Sequence, residues 1–219
     1  MLILTIETSC YETSVAIGEI INDKVKLLSH IISSQIKIHA RWGGVVPTLA
    51  AREHLKNLVP VLKLAVKQAG LKNEKQLAQK LDLIGVTKGP GLIPALLVGV
   101  NFAKALAYAF RKPLIPVNHM EAHIYASWVG AEPCPLTFRD NPFPMLALLV
   151  SGGHTMLVEV KKHLRYKILG ETLDDAAGEA FDKVARILGL GYPGGPLLSQ
   201  IARAGHPDFS FPVPLKNSP

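Results

Sequence analysis

Two histidines four residues apart, in the stretch Asn118-His119-Met120-Glu121-Ala122-His123-Ile124-Tyr125, are the side chains here best suited to chemistry. On a helix, residues i and i+4 lie one above the other on one face, so both imidazoles can reach one divalent cation. That is half a metal site, and with no further His or Asp close by in the sequence a third ligand must come from a distant segment. Glu121 does not complete a hydrolytic centre. Two positions beyond His119 it is turned by about 200° around the helix axis and points away from the ion. A cation held here would polarise or orient a substrate rather than activate water beside that glutamate. The competing reading is a solvated pair of surface histidines, and spacing alone leaves both open.

A second candidate is the turn in Leu149-Val150-Ser151-Gly152-Gly153-His154-Thr155. Without β-carbons, the main chain at Gly152 and Gly153 can approach phosphate or carboxylate oxygens, with Ser151 and Thr155 adding hydroxyls. A plain glycine hairpin is the alternative. The polar turn Thr8-Ser9-Cys10-Tyr11-Glu12-Thr13 occupies the equivalent place earlier in the chain and points to a shared ligand. Asp182 is a third candidate, either pairing with Arg186 one turn on or accepting hydrogen bonds from ribose hydroxyls. Tyr192-Pro193-Gly194-Gly195-Pro196 can bring main chain against the same ligand.

The elements that would position these residues follow from the hydrophobic pattern. Leu2 to Thr8, Thr13 to Ile20 and Val25 to Ile32 read as a three-stranded meander, with Asn22-Asp23 at the second turn. A helix opens near Pro47 with apolar positions Ala51, Leu55, Leu58, Leu62, Ala65 and Ala69, and Pro60 should kink it rather than end it. Leu81 to Thr87 reads as a buried strand, Leu92 to Phe110 as an apolar helix and Pro113 to Val117 as the strand that delivers the histidines. The helix carrying them is expected from Glu121 to Val129. After a loop from Glu132 to Pro144 the meander begins again: Met145 to Val150, Thr155 to Val160, Tyr166 to Gly170. Aligning Thr13 with Thr155 makes this an internal repeat. A helix from Leu173 to Leu188 should bury Ala177, Phe181, Val184 and Leu188 and leave Asp182 on its outer face. A short helix follows the Gly/Pro turn.

The expected architecture is α/β, with two lobes facing each other across a cleft into which both polar turns point. The first lobe takes residues 1–130 and the start of a second, incomplete lobe takes 143–219. The chain of 219 residues is 48% hydrophobic and 19% charged, values that suit a globular protein and exclude a disordered one. Its opening segment lacks a basic leader and carries Glu7, and the uncharged run from Gly89 to Ala103 is too short for a bilayer. The expectation is therefore a cytoplasmic protein without a membrane partner. Cys10 and Cys134 give no disulfide framework. A net charge of +7 and a pI near 9.4 favour polyanionic partners such as RNA.

Taken together, ETSCYETSVAI, GGVVPTLAAREH, TKGPGLIPALLVG, NHMEAHIYA, LLVSGGHT, DDAAGEAFDKVARILGLGYPGGP and FSFPVPL closely resemble the tRNA threonylcarbamoyladenosine transferase family, once labelled O-sialoglycoprotein endopeptidases. The resemblance implies an actin-like, ribonuclease-H-like fold of duplicated lobes. It implies transfer of a threonylcarbamoyl group from threonylcarbamoyl-AMP to the exocyclic amine of the adenosine 3′ of the anticodon in ANN-decoding tRNAs, with release of AMP. By likeness His119 and His123 ligate one divalent metal, iron or zinc. Leu149, Val150, Ser151, Gly152, Gly153, Asp182 and Gly195 bind the adenylate. Accessory proteins, including a paralogous actin-like subunit and an ATPase, are the implied partners. Tyr11 stands where the family pattern has Asp, so no residue is assigned as catalytic. Thr48, Pro94 and Val213 replace Glu, Gly and Arg of that pattern. The family's third metal ligand, an Asp, and a substrate-binding Asn are expected beyond residue 219. A non-catalytic paralogue that scaffolds an active transferase is the alternative.

Overall fold

The computed structural model describes residues 1–22, 24–127, 129 and 142–212. Cys134, Val213, Asp23 and most of the Glu132–Pro144 loop lie outside the described residues.

The first meander forms as the alternation requires. Strands β1 (Leu2–Glu7), β2 (Glu12–Ile21) and β3 (Lys24–Ser34) pair antiparallel in sequence order. Two further strands, β4 (Leu83–Gly89) and β5 (Leu114–Asn118), run parallel to β1, which gives a five-stranded sheet of order β3-β2-β1-β4-β5. This is the ribonuclease-H-like arrangement, in which β1 is the pivot between an antiparallel half and a parallel half.

Between β3 and β4 lie α1 (Ile36–His39), a single 3₁₀ turn (Ala40–Trp42), α2 (Pro47–Gln68) and α3 (Glu74–Lys80). Helix α4 (Ile93–Phe110) joins β4 to β5. Helices α2 and α4 cover one face of the sheet. There Leu4, Ile6, Val15, Ile17 and Ile84 pack on Leu58, Leu62, Ala65 and Ala103 in the main core. In α2 the buried stripe is Ala50, His54, Leu58, Val61, Leu62, Ala65 and Val66, and Pro60 sits inside an unbroken helix. Leu55, expected inside, is exposed, and its place is taken by a histidine. The hydrophobic period cannot reveal this because a polar side chain fills a core position. Helix α4 runs through Lys104 to Phe110. It is long and apolar enough to cross a membrane by length and composition alone, and Ala95, Leu96, Gly99, Ala103 and Ala107 along it are buried.

The histidine helix α5 (His119–Ala126) starts earlier than expected, because the Asn118 side chain accepts from the N–H groups of Met120 and Glu121 and caps it. The second meander, β6 (Met145–Val150), β7 (Thr155–Lys162) and β8 (Arg165–Glu171), repeats the strand order of the first as a separate three-stranded sheet. Its small core, Val158 and Val160 with Met145, Ala147, Leu149 and Tyr166 around them, is shared with Ile124 of α5.

Helix α6 (Ala177–Ile187) begins four residues later than the pattern suggested, and its inner face is a different one. Ala185 is fully buried, while Phe181, Val184 and Leu188 are exposed. Gly178 and Asp182 lie on the inner side with Ala185. A β-carbon on Gly178 would fall 2.8 Å from Gly152 Cα. Small residues, not large apolar ones, mark the contact here, because main chain packs against main chain. Helix α7 (Gly195–Ala202) closes the described chain.

Candidate functional site

The carboxyl ends of β1, β4 and β5 lie side by side because the three strands are parallel and adjacent. They end in Glu7, Thr87 to Gly89, and Asn118, and the last hands directly to His119. On the sheet face opposite α2 and α4, a cavity of about 570 Å³ is lined by Glu7, Glu12, Thr87, His119 and His123 among others. A ligand crevice at the carboxyl ends of parallel strands is the general expectation for open α/β sheets.

The two imidazoles meet as their spacing requires. His119 Nε2 and His123 Nε2 are 3.1 Å apart and the ring centroids 4.5 Å, so both ε-nitrogens converge on one point. Among the described residues no cluster of three or more His, Cys, Asp or Glu is placed to hold an ion. The donor set is two imidazoles, which suits zinc or iron, with open positions. Burial lowers the basicity of His123, and the neighbouring His119 and His154 lower it further, so it is poised to be neutral and able to ligate. His154 belongs to the glycine turn, so this turn and the imidazole pair share one electrostatic neighbourhood.

Glu7 is the residue that sequence reasoning missed. Its Oε2 lies 3.1 Å from His119 Nδ1 and accepts a 2.6 Å hydrogen bond from the Thr87 hydroxyl, while the Ser9 N–H donates to Oε1. Burial pushes this carboxyl up, but the hydrogen bonds from His119, Ser9 and Thr87 outweigh it and hold the pKa at about 2. The signal available was a charged residue closing an otherwise apolar strand, and it named no partner.

The turn after β1 is held by close packing. Leu92 N–H donates to Ser9 O at 2.7 Å, and the Thr8 hydroxyl donates to Ala95 O at 2.9 Å. A β-carbon on Gly91 would lie 2.6 Å from Ser9 O, and one on Gly99 would lie 2.2 Å from Thr8 Oγ1. These glycines let the head of α4 close on the turn. A buried polar network supports the turn from behind. His54 Nε2 is 3.0 Å from Cys10 O, and His54 Nδ1 is 2.7 Å from Thr13 Oγ1. Gln35 links His54 to His39, whose Nε2 is 3.0 Å from Gln35 Oε1. Tyr11 projects from this turn with its hydroxyl paired to that of Tyr192. Burial raises its pKa, as do the charges of Cys10 and Glu12. Tyr11 and the Gly/Pro turn of the second repeat are therefore brought together, with Asp182 close enough to raise Tyr11 further.

In the second repeat, the Ser151 hydroxyl accepts from His154 N–H at 3.0 Å and thereby shapes the turn. Thr155 Oγ1 is committed to Ala177 N–H at 2.8 Å, at the head of α6. Leu149 faces the small core and Val150 is exposed. At Gly152 and Gly153 φ is not left-handed, and among the described residues an added β-carbon at either meets nothing within 4 Å. Asp182 does not pair with Arg186. Its Oδ1 accepts from the N–H groups of Gly194 and Gly195, at 2.8 and 3.2 Å, and so caps α7.

Fold and site together define a ribonuclease-H-like α/β protein of repeated meanders with a two-histidine face at the carboxyl ends of its parallel strands. The family profile described as TsaD, tRNA N6-adenosine threonylcarbamoyltransferase, matches residues 26–219, and the chain belongs to that family. Proteins named tRNA N6-adenosine threonylcarbamoyltransferase are similar to it. That of Thermomicrobium roseum is 53% identical over 97% of this chain, that of Persephonella marina 49% over 99%, and that of Thermosipho melanesiensis 51% over 100%. The chain spans 56%, 58% and 62% of the lengths of these relatives. Among solved structures, YeaZ from Pseudomonas aeruginosa is 17% identical, with a TM-score of 0.45 over 78% of this chain and 68% of that one. A Ppx/GppA family member from Aquifex aeolicus is 12% identical, with a TM-score of 0.45 over 84% of this chain and 54% of that one.

Proposed function

We propose that the chain takes part in threonylcarbamoyl transfer from threonylcarbamoyl-AMP to the exocyclic amine of the adenosine 3′ of the anticodon in ANN-decoding tRNAs. The amine nitrogen bonds to the carbamoyl carbon, the bond from that carbon to the phosphate oxygen breaks, a proton leaves the amine and AMP departs. The donor is already activated, so the protein's part is to position the amine and to stabilise developing negative charge. The domain reading is a first actin-like lobe over residues 1–130 and the opening of a second over 143–219.

The observation that carries the reading is the pair of glycines at 152 and 153. Among the described residues no atom lies within 4 Å of where their β-carbons would be and neither has a left-handed φ, so the main chain there is open to close approach by a ligand. Ser151, Gly152 and Gly153, with Leu149 and Val150 leading into them, would seat the adenylate, and Asp182 and Gly195 would border it. His119 and His123 would hold one zinc or iron ion, which when bound supplies electrophilic stabilisation of carbonyl or phosphate oxygen. Glu7 and Thr87 keep His119 in place for it. Tyr11, standing where the family pattern has Asp, presents a hydroxyl paired with Tyr192 at the edge of the site.

Accessory proteins of the modification complex, including a paralogous actin-like subunit and an ATPase, belong to this proposal, as does a cytoplasmic setting. The exposed Leu55, Val59, Ile93 and Leu97 on α2 and α4 favour a protein partner on that face. The test is to incubate the purified chain with threonylcarbamoyl-AMP and an ANN-decoding tRNA transcript. It is done alone and with a fragment supplying the remaining length of a relative, followed by mass analysis of the nucleosides. Modified adenosine that disappears with His119→Ala is expected. Neither modified nucleoside nor AMP release under any of these conditions, including with Tyr11→Asp, would overturn the proposal.

A further inference from the structure

We infer that Glu7 is a positioning residue for the histidine face: its carboxylate fixes His119 as the Nδ1–H tautomer and so leaves the Nε2 lone pair, which faces His123, available to a cation. The inference rests on the reading of His119 and His123 as a metal-binding pair.

The two nitrogens of an imidazole lie on different edges of the ring, and in the neutral ring one donates while the other accepts. At His119 these edges meet different neighbours. Nδ1 is 3.1 Å from Glu7 Oε2 and 3.3 Å from Ser9 Oγ, whereas Nε2 is 3.1 Å from His123 Nε2. A carboxylate can only accept, so the proton of the ring belongs on Nδ1. Glu7 thus sits beyond the far edge of His119 and orients the ring without itself ligating the ion. The separation of the two ε-nitrogens is close to the roughly 3.3 Å expected for two ligands at about 2.05 Å on a tetrahedral zinc.

The carboxylate is itself immobilised. The Thr87 hydroxyl donates to the same Oε2 at 2.6 Å, and the Ser9 N–H holds the other oxygen. Thr87 and Glu7 are fixed in turn by the parallel pairing of β1 and β4, which aligns Ile6 with Val86 one residue earlier. His119 is the first residue of α5 and has no preceding helical turn to steady its ring. A carboxylate that fixes a ligand's tautomer and orientation supports affinity without touching the metal.

The experiment has two arms, both with the full chain. In the first, Zn²⁺ alone is titrated calorimetrically into metal-free wild type, Glu7→Gln, Thr87→Val, His119→Ala and His123→Ala. The Glu7→Gln variant should bind roughly 10- to 100-fold more weakly than wild type. Thr87→Val should weaken binding by less. In the second, long-range ¹H–¹⁵N correlation spectra of metal-free wild type report the tautomer of His119, with the proton expected on Nδ1. This arm needs no variant and stands even if Glu7→Gln fails to fold. Zn²⁺ affinity of folded Glu7→Gln within twofold of wild type, or a proton on Nε2 of His119, would overturn the role of Glu7. Unchanged affinity in both His119→Ala and His123→Ala would instead overturn the metal-binding reading, while the tautomer still decides whether Glu7 orients the ring.

Discussion

At Gly99, one hydrogen atom in place of a methyl group decides whether α4 can lie on the turn that follows β1. A β-carbon there meets Thr8 Oγ1 at 2.2 Å, and Thr8 is buried. Gly99→Ala should therefore destabilise the chain by about 1–3 kcal/mol, the usual range for overpacking, despite the better helix propensity of alanine. A urea melt checks this. Asp182→Ala should cost about 1 kcal/mol through loss of the α7 cap, and Asp182→Asn, which keeps an acceptor oxygen, should recover most of it. His119 and His123 were legible because their spacing is local. Glu7 was not: in the sequence it is only a charge near the amino terminus, and its partner lies 112 positions away. Asp182 was legible as a polar candidate, but its bonds to Gly194 and Gly195 were not, because a carboxylate accepting from backbone N–H groups of a later turn leaves no periodic trace.

The elements that hold the cleft turn are tied together by neutral histidines. His54 is fully buried, with one nitrogen on Cys10 O and the other on Thr13 Oγ1, and burial lowers its pKa, as it does that of His39. A group whose folded pKa lies below its unfolded value binds more protons when unfolded, so its contribution is complete above the unfolded value and is lost as pH falls. For these histidines, loss should begin near pH 6.5 and level off below their lowered folded values. Glu7 adds a second, separate decline from about pH 4.5 toward 2. Thermal melts from pH 8 to 3 should show both steps, and His54→Gln should diminish the first. The strands and long helices could be read from alternation and period, within a few residues at their ends. The inner faces of α2 and α6 could not, because one is filled by a hydrogen-bonded histidine and the other by Gly178 and Ala185, residues that carry no hydrophobic signal.

Over the whole molecule, stability is unevenly spread. The first sheet is backed by two long helices and a core running from Leu2 to Leu114, whereas among the described residues the second sheet buries Val158 and Val160 against Ile124 of α5 and exposes Leu146, Leu148 and Val150 along one face of β6. Hydrogen exchange should find amides of β1 and β4 among the slowest and those of β6 to β8 markedly faster. Equal protection in the two sheets would refute that ranking. The parallel pairing of β1 with β4 carries a further consequence for how the histidine face comes into being. Glu7 and Thr87 meet only when a segment of 80 residues has closed, and contacts so distant along the chain form late because the entropy of closure must be met first. If His119 and His123 hold zinc as proposed, its capture during refolding should lag behind the appearance of helical circular dichroism, so that the ion serves as a clock for the arrival of β4 beside β1.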